Sequence, residues 1–347
     1  MQDLKTLTIP EFKQALTKTD KIVIIPHKNP DGDAIGSSLG LYHYLKELNK
    51  DCTVVINDAV PEFLKFLPNI DKIQIFEENP ELCSKLVAEA ELIFCLDYAQ
   101  THRSGALESH ILSSKALKAV VDHHPGPDDN FDFYHHEVAS SSTCELIYDL
   151  ISKMEKDYSF SKQVAVCLYT GLVTDTGCFK HALRPHTFIV ASELLKSGIS
   201  YEMIVSNIYD VNTPERLKLI GFALNERMVV LPEYRTAYIS MSYEDSERLG
   251  LKKGDTEGLV NYALSIQNMV IGAFFHEREK GKTKISLRSK GTFAVNELSG
   301  KYFGGGGHRN AAGGEFPEDS NAAVAKFIEV LPQYKTELAS LEIGKRD

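Results

Sequence analysis

Acidic residues and histidines gather where apolar stretches of the sequence end. The clearest case is VVDHHPGPDD at 120–129, in which one aspartate and two histidines stand between an apolar run and a Pro-Gly turn. Three interpretations compete for this triplet: a polar turn, a group of metal ligands and an acid–base pair. Other stretches that end in the same way are needed to choose among them.

Three further segments carry the same residue types: HKNPDGDAIG at 27–36, ELIFCLDYA at 91–99 and LVTDTG at 172–177. Together with the triplet they supply His27, Asp31, Asp33, Asp97, Asp122, His123, His124 and Asp175. A single aspartate at such a place is most often a turn former or a helix cap. So many carboxylates together would repel one another severely without a counter-charge, which divalent cations supply.

The ligand types favour particular metals. Carboxylates outnumber histidines, at about one histidine per ion, and this suits Mn²⁺ or Mg²⁺ better than zinc. Two such ions about 3.5–4 Å apart are an arrangement used for attack on phosphorus. The sequence therefore predicts a site for two divalent ions, with Mn²⁺ preferred and Mg²⁺ as the alternative, that acts on a phosphoester.

Hydrophobic periodicity indicates the elements that must position these side chains. Continuous apolar runs predict strands at 21–27, 52–57, 72–76, 91–97 and 117–124. Helical spacing follows at 34–50, 141–154, 163–175 and 186–198. Because the strands are apolar throughout, both of their faces must be covered. We expect an α/β fold with a doubly wound, mostly parallel sheet, which binds ligands beyond the carboxyl ends of its strands.

The pattern changes toward the C-terminus. Residues 206–228 predict a connecting helix, with Thr213 as a cap and Pro214 in its first turn. The strand-like segments beyond it are 236–242, 269–277 and 282–289. We therefore expect a first domain over 1–205, a linker helix over 206–228 and a smaller α+β domain over 229–347.

Composition limits the class of function. The chain has 347 residues, a net charge of −10 and 43% hydrophobic residues, which is typical of a folded protein of two domains. The negative charge argues against binding to long duplex nucleic acid but allows short nucleotides at a local basic patch. The six cysteines form no CxxC pair, which favours buried thiols. Neither a leader nor a run of eighteen apolar residues occurs, so we expect a cytoplasmic protein with no membrane partner.

A glycine run near the C-terminus is the candidate binding site for the substrate. GGGGHRNAAGG spans 304–314 and follows a strand-like segment that holds Arg288. The candidate contacts are Gly305, Gly306, Gly307, His308 and Arg309. Glycine lets the backbone approach a phosphate closely, and a local cationic patch binds anions even in an acidic protein. The alternative is a flexible loop.

Two predicted helix starts lie beside the acidic segments. THR at 101–103 follows the strand that ends in Asp97, and Arg103 is a candidate phosphate contact there. A capped, solvated helix start is the alternative. SSSTCE at 140–145 predicts a capping box and no further role.

These segments resemble the motifs of a known family. HKNPDGDAIGS, LDYA, VDHHPG and LVTDTG, in this order, are similar to the four motifs of the DHH phosphoesterase superfamily, and GGGGHRNAAGG is similar to the motif of the DHHA1 domain. The resemblance covers nearly the whole chain. It implies a hydrolase of short oligoribonucleotides (nanoRNA) or of 3′-phosphoadenosine 5′-phosphate (pAp), with its site in a cleft between the two domains.

The resemblance also implies a set of metal ligands. His27 and Asp31 would hold the first ion, and Asp33 and His123 the second. Asp97 would bridge the two ions. The second site would be completed by Asp175.

Other residues would act beside the metals. Asp122 is expected to orient a histidine. His124 would face the scissile phosphate, and either His124 or a water would protonate the leaving oxygen. Arg288 and the glycine loop would grip the non-reacting end of the substrate.

Two alternative functions remain open. A phosphodiesterase for cyclic di-AMP or its linear product pApA would use the same metal chemistry. A nucleotide-binding module without catalysis would keep the glycine loop but lack some metal ligands. Because all six candidate ligand positions are filled, an enzyme is favoured. The expected partners are short single-stranded RNA or a small nucleotide, with a second copy of the chain as a further candidate.

Overall fold

A computed structural model describes residues 7–252 and 254–342, apart from the side chain of His308. The chain divides into two units, Met1–Val211 and Asn212–Asp347. The predicted connecting helix over 206–228 is instead the end of one helix at Tyr209 and a second helix that begins at Pro214. The residue before a proline avoids the helical region, and Thr213 is accordingly extended and caps the second helix.

In the first unit the described strands are β1 (Lys21–Pro26), β2 (Asp51–Ile56), β3 (Gln74–Ile75), β4 (Leu92–Leu96), β5 (Leu117–Asp122) and β6 (Phe133–His136). The α-helices are α1 (Ile9–Lys18), α2 (Gly32–Glu47), α3 (Pro80–Glu89), α4 (Glu108–Ser113), α5 (Thr143–Met154), α6 (Lys162–Asp175), α7 (Pro185–Leu195) and α8 (Tyr201–Tyr209). Short 3-10 segments lie at Glu62–Leu64, Ile70–Lys72 and Thr101–Leu107.

These six strands form one parallel sheet in the order β3-β2-β1-β4-β5-β6. Successive residues of β1 point to opposite faces of this sheet. Ile22 and Ile24 pack into one hydrophobic core, and Val23 and Ile25 pack into another. The predicted doubly wound α/β fold is confirmed.

The strand order places the candidate site. The chain runs outward from β1 to β2 and β3, then returns to add β4 on the other side of β1. Ligands of such sheets bind at the carboxyl ends of the strands where the order reverses. The residues that directly follow β1, β4 and β5 are His27, Asp97 and His123, and they therefore lie side by side.

Helices α2 and α6 pack unusually closely beside this edge. A Cβ atom added at Gly36 of α2 would lie 2.6 Å from the Cys167 carbonyl oxygen and 3.0 Å from the Gly171 nitrogen of α6. Only glycine allows the two backbones to approach this far. Since α2 begins beside Asp33 and α6 ends at Asp175, the approach brings two predicted ligands together.

The second unit contains a mixed sheet. Its described strands are β7 (Met228–Leu231), β8 (Thr236–Met241), β9 (Ile271–Glu279), β10 (Lys282–Ser289), β11 (Gly306–His308) and β12 (Ala311–Phe316). The helices are α9 (Pro214–Glu226), α10 (Tyr243–Leu249), α11 (Leu259–Ser265), α12 (Val295–Phe303), α13 (Ser320–Val330) and α14 (Lys335–Ser340), with 3-10 segments at Pro232–Tyr234 and Leu331–Tyr334. The strand order is β11-β12-β10-β9-β8-β7, and only β8 and β9 pair in parallel. This confirms the predicted smaller α+β fold.

The six cysteines bear out the prediction of reduced thiols. All six are unpaired, five of them are buried, and Cys178 is half-buried. Across the part of the chain that the structure describes, every helix is too short or too polar to cross a membrane.

The close packing of α2 on α6 predicts the effect of one added methyl group. Gly36→Ala should lower the free energy of unfolding by about 1–3 kcal/mol, the usual cost of overpacking a core. The measurement is urea unfolding followed by circular dichroism. Gly221→Ala is the control, because a Cβ there has nothing within 4 Å. A Gly36→Ala protein as stable as its parent would contradict the close approach.

Candidate metal centre

The first group of ligands consists of His27, Asp31 and Asp97. The Nε2 atom of His27 lies 3.3 Å from Asp97 Oδ2 and 3.9 Å from Asp31 Oδ1. Its Nδ1 donates a hydrogen bond of 2.8 Å to the Lys28 carbonyl, which turns Nε2 toward the carboxylates. The three ligand atoms lie within 4.8 Å of one another, close enough to hold one metal ion.

The second group consists of Asp33, His123 and Asp175, and it meets the same distance limit. His123 Nε2 lies 3.5 Å from Asp175 Oδ2 and 4.0 Å from Asp33 Oδ2. Its Nδ1 donates to the Ser140 carbonyl at 3.2 Å. Each histidine is thus held by a backbone carbonyl on one side and faces carboxylates on the other.

Asp97 lies beside both groups of ligands. Its Oδ2 faces His27, whereas its Oδ1 lies 3.6 Å from His123 Nε2. The residue is 2% exposed and its backbone is left-handed, with a φ of 62°, a conformation that aspartate tolerates better than most residues. The hydroxyl of Thr143 donates to Oδ1 at 2.9 Å. One carboxylate is therefore placed between two groups of ligands.

Asp33 is held by the N-terminus of α5. The backbone N–H groups of Thr143 and Cys144 donate to its two oxygens at 2.6 and 2.9 Å. A helix N-terminus has unpaired N–H groups and a partial positive charge, so it stabilises a buried carboxylate. The capping pattern at 140–145 did not predict this role. Ser142 does cap the helix, by accepting from the Glu145 N–H at 3.0 Å, but the Glu145 side chain does not close the predicted capping box.

The pKa values show how poorly the remaining charge is compensated. Burial and then the charges of Asp97 and Asp175 raise the pKa of Asp33 well above its ordinary value. Burial and the charge of Asp97 likewise raise the pKa of Asp175. Two carboxylates here lack a positive neighbour of sufficient strength. A divalent cation would supply that charge, so the donor set fits such an ion.

The histidines compensate Asp97 more fully. Burial alone would lower the pKa of His27, but its hydrogen bond to Asp97 and the charge of Asp97 raise it to about 9. Burial would raise the pKa of Asp97, but the hydrogen bond and charge of His27, with the charge of His124, hold it below its ordinary value.

The three residues of the DHH triplet, Asp122, His123 and His124, make different contacts. Asp122 is fully buried, and its Oδ1 accepts from His124 Nδ1 at 2.7 Å while its Oδ2 accepts from the His124 N–H at 3.0 Å. The ring of His124 is thereby fixed, with Nδ1 3.6 Å from Asp97 Oδ1. His123 turns instead toward the second group of ligands.

The predicted helix start at Arg103 has a different structure. Thr101–Leu107 form a 3-10 segment, and the N–H and hydroxyl of Thr101 both donate to Asp128, at 2.8 and 3.0 Å. The Thr101 donors at the start of this segment are therefore already bound by the Asp128 side chain. The Arg103 carbonyl accepts from the Lys28 N–H at 2.8 Å, which places Arg103 beside the segment that follows β1.

The glycine run is part of the sheet of the second unit. Gly306–His308 form β11, which pairs with β12, and β12 pairs with the strand that carries Arg288. A Cβ at Gly305 would lie 1.8 Å from the Gly313 carbonyl oxygen. Gly307 has a φ of 139°, and a Cβ there would lie 2.5 Å from the Ala311 oxygen.

Gly305 and Gly307 are therefore required by strand pairing. A Cβ at Gly306 would have no atom within 4 Å. Arg288 is half-buried and pairs with Ala311, which pairs in turn with His308, whereas Arg309 is exposed. The structure thus brings the backbone of the run and Arg288 to one end of the sheet.

Comparisons with known proteins find matches to both units of the chain. A family model described as "DHH family, N-terminal domain" matches residues 21–172, and one described as "DHHA1 domain" matches residues 236–335. A crystal structure of an exopolyphosphatase-related protein from Bacteroides fragilis superposes with a TM-score of 0.93 at 39% identity, covering 96% of this chain and 97% of that one.

Two curated relatives carry named activities. The bifunctional oligoribonuclease and PAP phosphatase NrnA of Thermus thermophilus is 31% identical over 84% of this chain and 83% of its own length. The cyclic-di-AMP phosphodiesterase GdpP of Geobacillus thermodenitrificans is 25% identical over 87% of this chain, which is 45% of its own length.

The hydrogen bond from Thr143 to Asp97 predicts an effect on metal affinity. Thr143→Val removes the hydroxyl but keeps the backbone N–H that Asp33 accepts, so it should weaken Mn²⁺ binding about tenfold. Thr143→Ser keeps the hydroxyl and should bind as the parent does. Isothermal titration of the metal-free proteins measures both. Parental affinity in the valine variant would show that the hydroxyl does not position Asp97.

Proposed function

Since the chain belongs to the DHH family, we propose that it is a phosphoesterase, dependent on two divalent ions, which hydrolyses short oligoribonucleotides and pAp in the cytoplasm. The observation that carries the proposal is the position of Asp97, with one oxygen toward each group of ligands. Mn²⁺ is the proposed ion, with Mg²⁺ as the alternative, because oxygen ligands dominate.

In this proposal each of the two groups of ligands binds one ion. His27 and Asp31 would hold one ion, Asp33, His123 and Asp175 would hold the other, and Asp97 would serve both. Bound ions of this kind neutralise phosphoryl charge and lower the pKa of water toward neutrality. The protein's own contribution is to fix its carboxylates before the substrate arrives, through the α5 N-terminus and the Thr143 hydroxyl.

His124 is the proposed proton donor. Asp122 binds Nδ1, so the proton that reaches the leaving oxygen comes from Nε2. A buried carboxylate on the opposite ring nitrogen fixes the tautomer and the orientation of the ring. This arrangement supports general-acid catalysis by His124, with Asp122 as the residue that orients it.

Substrate contacts come from basic residues and from open backbone. We assign them to Arg103, Arg288, Gly305, Gly306, Gly307, His308 and Arg309. Burial lowers the pKa of Arg288, so this guanidinium is poorly hydrated and would gain from an anionic partner. Local cations of this kind allow a chain of net charge −10 to bind a nucleotide.

The proposed substrates are the two that the name of the Thermus relative combines. Cyclic di-AMP is the less favoured alternative, since the relative named for it matches only through 45% of its length. The remaining alternative, a nucleotide-binding module, would not need two complete groups of ligands. We also propose that the protein assembles as a homodimer.

The first test is a panel of phosphoesters incubated with Mn²⁺. It contains pAp, a 5′-phosphorylated di- to pentaribonucleotide series, a long RNA, pApA and cyclic di-AMP, and it measures released phosphate and mononucleotide. We expect fast turnover of pAp and of the short RNAs, and little turnover of the long RNA. Preference for cyclic di-AMP would replace the proposed substrate, and tight nucleotide binding without turnover would favour the binding module.

The same panel tests the shared carboxylate. Asp97→Ala should abolish turnover at every Mn²⁺ concentration, because in this proposal Asp97 is the ligand that both ions would share. Asp129→Ala is the control, since Asp129 is an exposed aspartate in the loop that follows the DHH triplet. Near-parental turnover by Asp97→Ala would refute the shared-ligand scheme.

Gly306 tests the contribution of the glycine run. Gly306→Ala meets open space in the protein, so it should fold normally but hinder a closely bound phosphate. We expect KM for the short RNAs to rise about tenfold, equivalent to roughly 1.4 kcal/mol, with kcat little changed. Gly221→Ala controls for the added methyl group, and an unaltered KM for Gly306→Ala would exclude close approach at this position.

A further inference from the structure

A buried ion pair lies beside the second group of ligands. Glu145, in the first turn of α5, has a fully buried side chain, and its Oε1 accepts from Arg184 Nε at 2.5 Å. Its Oε2 accepts from the hydroxyl of Thr187 at 2.7 Å and from the hydroxyl of Ser141. All of these partners come from the described residues of the first unit, and none of them belongs to the two groups of ligands.

Arg184 also holds the segment that precedes α5. Its Nη1 donates to Glu137 at 2.5 Å, and its Nη2 donates to the Ser140 hydroxyl at 3.4 Å. The planar guanidinium spreads its donors over a wide, rigid fork that reaches all of these acceptors, whereas a lysine ammonium is a compact charge at the end of a flexible chain. Segment 137–142, between β6 and α5, is therefore tied to Arg184 at Glu137 and Ser140, and to Glu145 through Ser141.

That segment supplies the backbone group that orients His123. The Ser140 carbonyl accepts the Nδ1–H of His123 at 3.2 Å, and the Ser140 N–H donates to the Glu137 carbonyl at 3.0 Å. If segment 137–142 shifted, the carbonyl would shift with it, and the imidazole would lose its fixed orientation.

Arg184 lies in the stretch of chain that follows Asp175 of the second group. Asp175 ends α6, and the chain then continues to Arg184, which caps the start of α7. The Arg184–Glu145 pair thus joins the stretch that follows Asp175 to the helix whose N-terminus holds Asp33. Asp33 is hydrogen-bonded to α5, and His123 is hydrogen-bonded to segment 137–142, which this pair ties to α5. Asp175 precedes Arg184 along the chain.

We propose that Glu145 and Arg184 are positioning residues for His123, acting through the Ser140 carbonyl. The proposal rests on the proposed function only in taking His123 as a metal ligand. A buried ion pair adds little net stability over an apolar pair of the same size, because desolvation offsets the attraction. Fixing the orientation of one ring gives this buried polar network a role that apolar packing could not fill.

The test uses metal-free protein labelled with ¹⁵N in its histidine rings. Long-range ¹H–¹⁵N spectra report which ring nitrogen of each histidine carries the proton. In Arg184→Lys the Glu145 contact can persist while the reach to Glu137 and Ser140 is lost. We expect the His123 Nδ1–H signal to broaden or be lost, with the His27 signal, fixed by Lys28, unchanged.

Two further proteins keep this test decisive. The double variant Glu145→Gln, Arg184→Met removes both charges, avoids an unpaired buried carboxylate and should also release His123. Asp149→Asn is the matched control, because it removes the charge from the 2.7 Å contact of Asp149 with His186, another polar contact between α5 and α7. A parental His123 signal in a folded Arg184→Lys protein would overturn the proposal.

Metal binding gives a second readout. Titration with Mn²⁺ followed by electron paramagnetic resonance should show about a tenfold weaker affinity for one ion in Arg184→Lys, and parental binding in Asp149→Asn. Parental Mn²⁺ affinity with only a lowered melting temperature would reduce the pair to a structural role and overturn the proposal. If the parent itself bound no Mn²⁺, the proposed function would fail, while the histidine spectra would still decide the role of Arg184.

Discussion

The mutual repulsion of Asp33, Asp97 and Asp175 is the constraint on which the rest of this site depends. Asp33 and Asp97 are buried and Asp175 is half-buried, and carboxylates this close are tolerated only where positive charge or donors surround them. The fold offers three histidines and the N-terminus of α5. The histidines compensate Asp97 more fully than Asp33 and Asp175 are compensated. The negative charge of Asp33 and Asp175 is therefore left poorly compensated by the protein itself. That same charge makes the site suited to divalent cations.

The framework meets this constraint mainly with backbone groups. N–H groups of α5 hold Asp33, and carbonyls of Lys28 and Ser140 hold His27 and His123. Backbone groups in fixed elements move less than side chains do, so the ligands are oriented before any ion binds. The absence of a Cβ at Gly36, which lets α2 approach α6, is part of the same framework.

The glycine run of the second unit shows how one motif can serve structure and binding together. Gly305 and Gly307 are required by the backbone of β11 and β12, and this requirement alone would explain them. Gly306, one position away, meets no such requirement. A glycine-rich motif is therefore weak evidence for phosphate binding until each glycine is examined in its own surroundings.

The sequence by itself determined the parallel sheet, the strand ends that carry the ligands and the residue types that suit divalent ions, because apolar period and turn chemistry are local properties of the chain. It also placed a helix start at 141–143. Only the tertiary structure decided which donor each carboxylate meets: Asp33 is bound by N–H groups 110 and 111 residues away. It likewise decided that Glu145 pairs with Arg184 instead of closing a capping box, and that the glycine run pairs as a strand. Partners so distant in the chain leave no periodic signal, since their meeting depends on how the helices and strands pack.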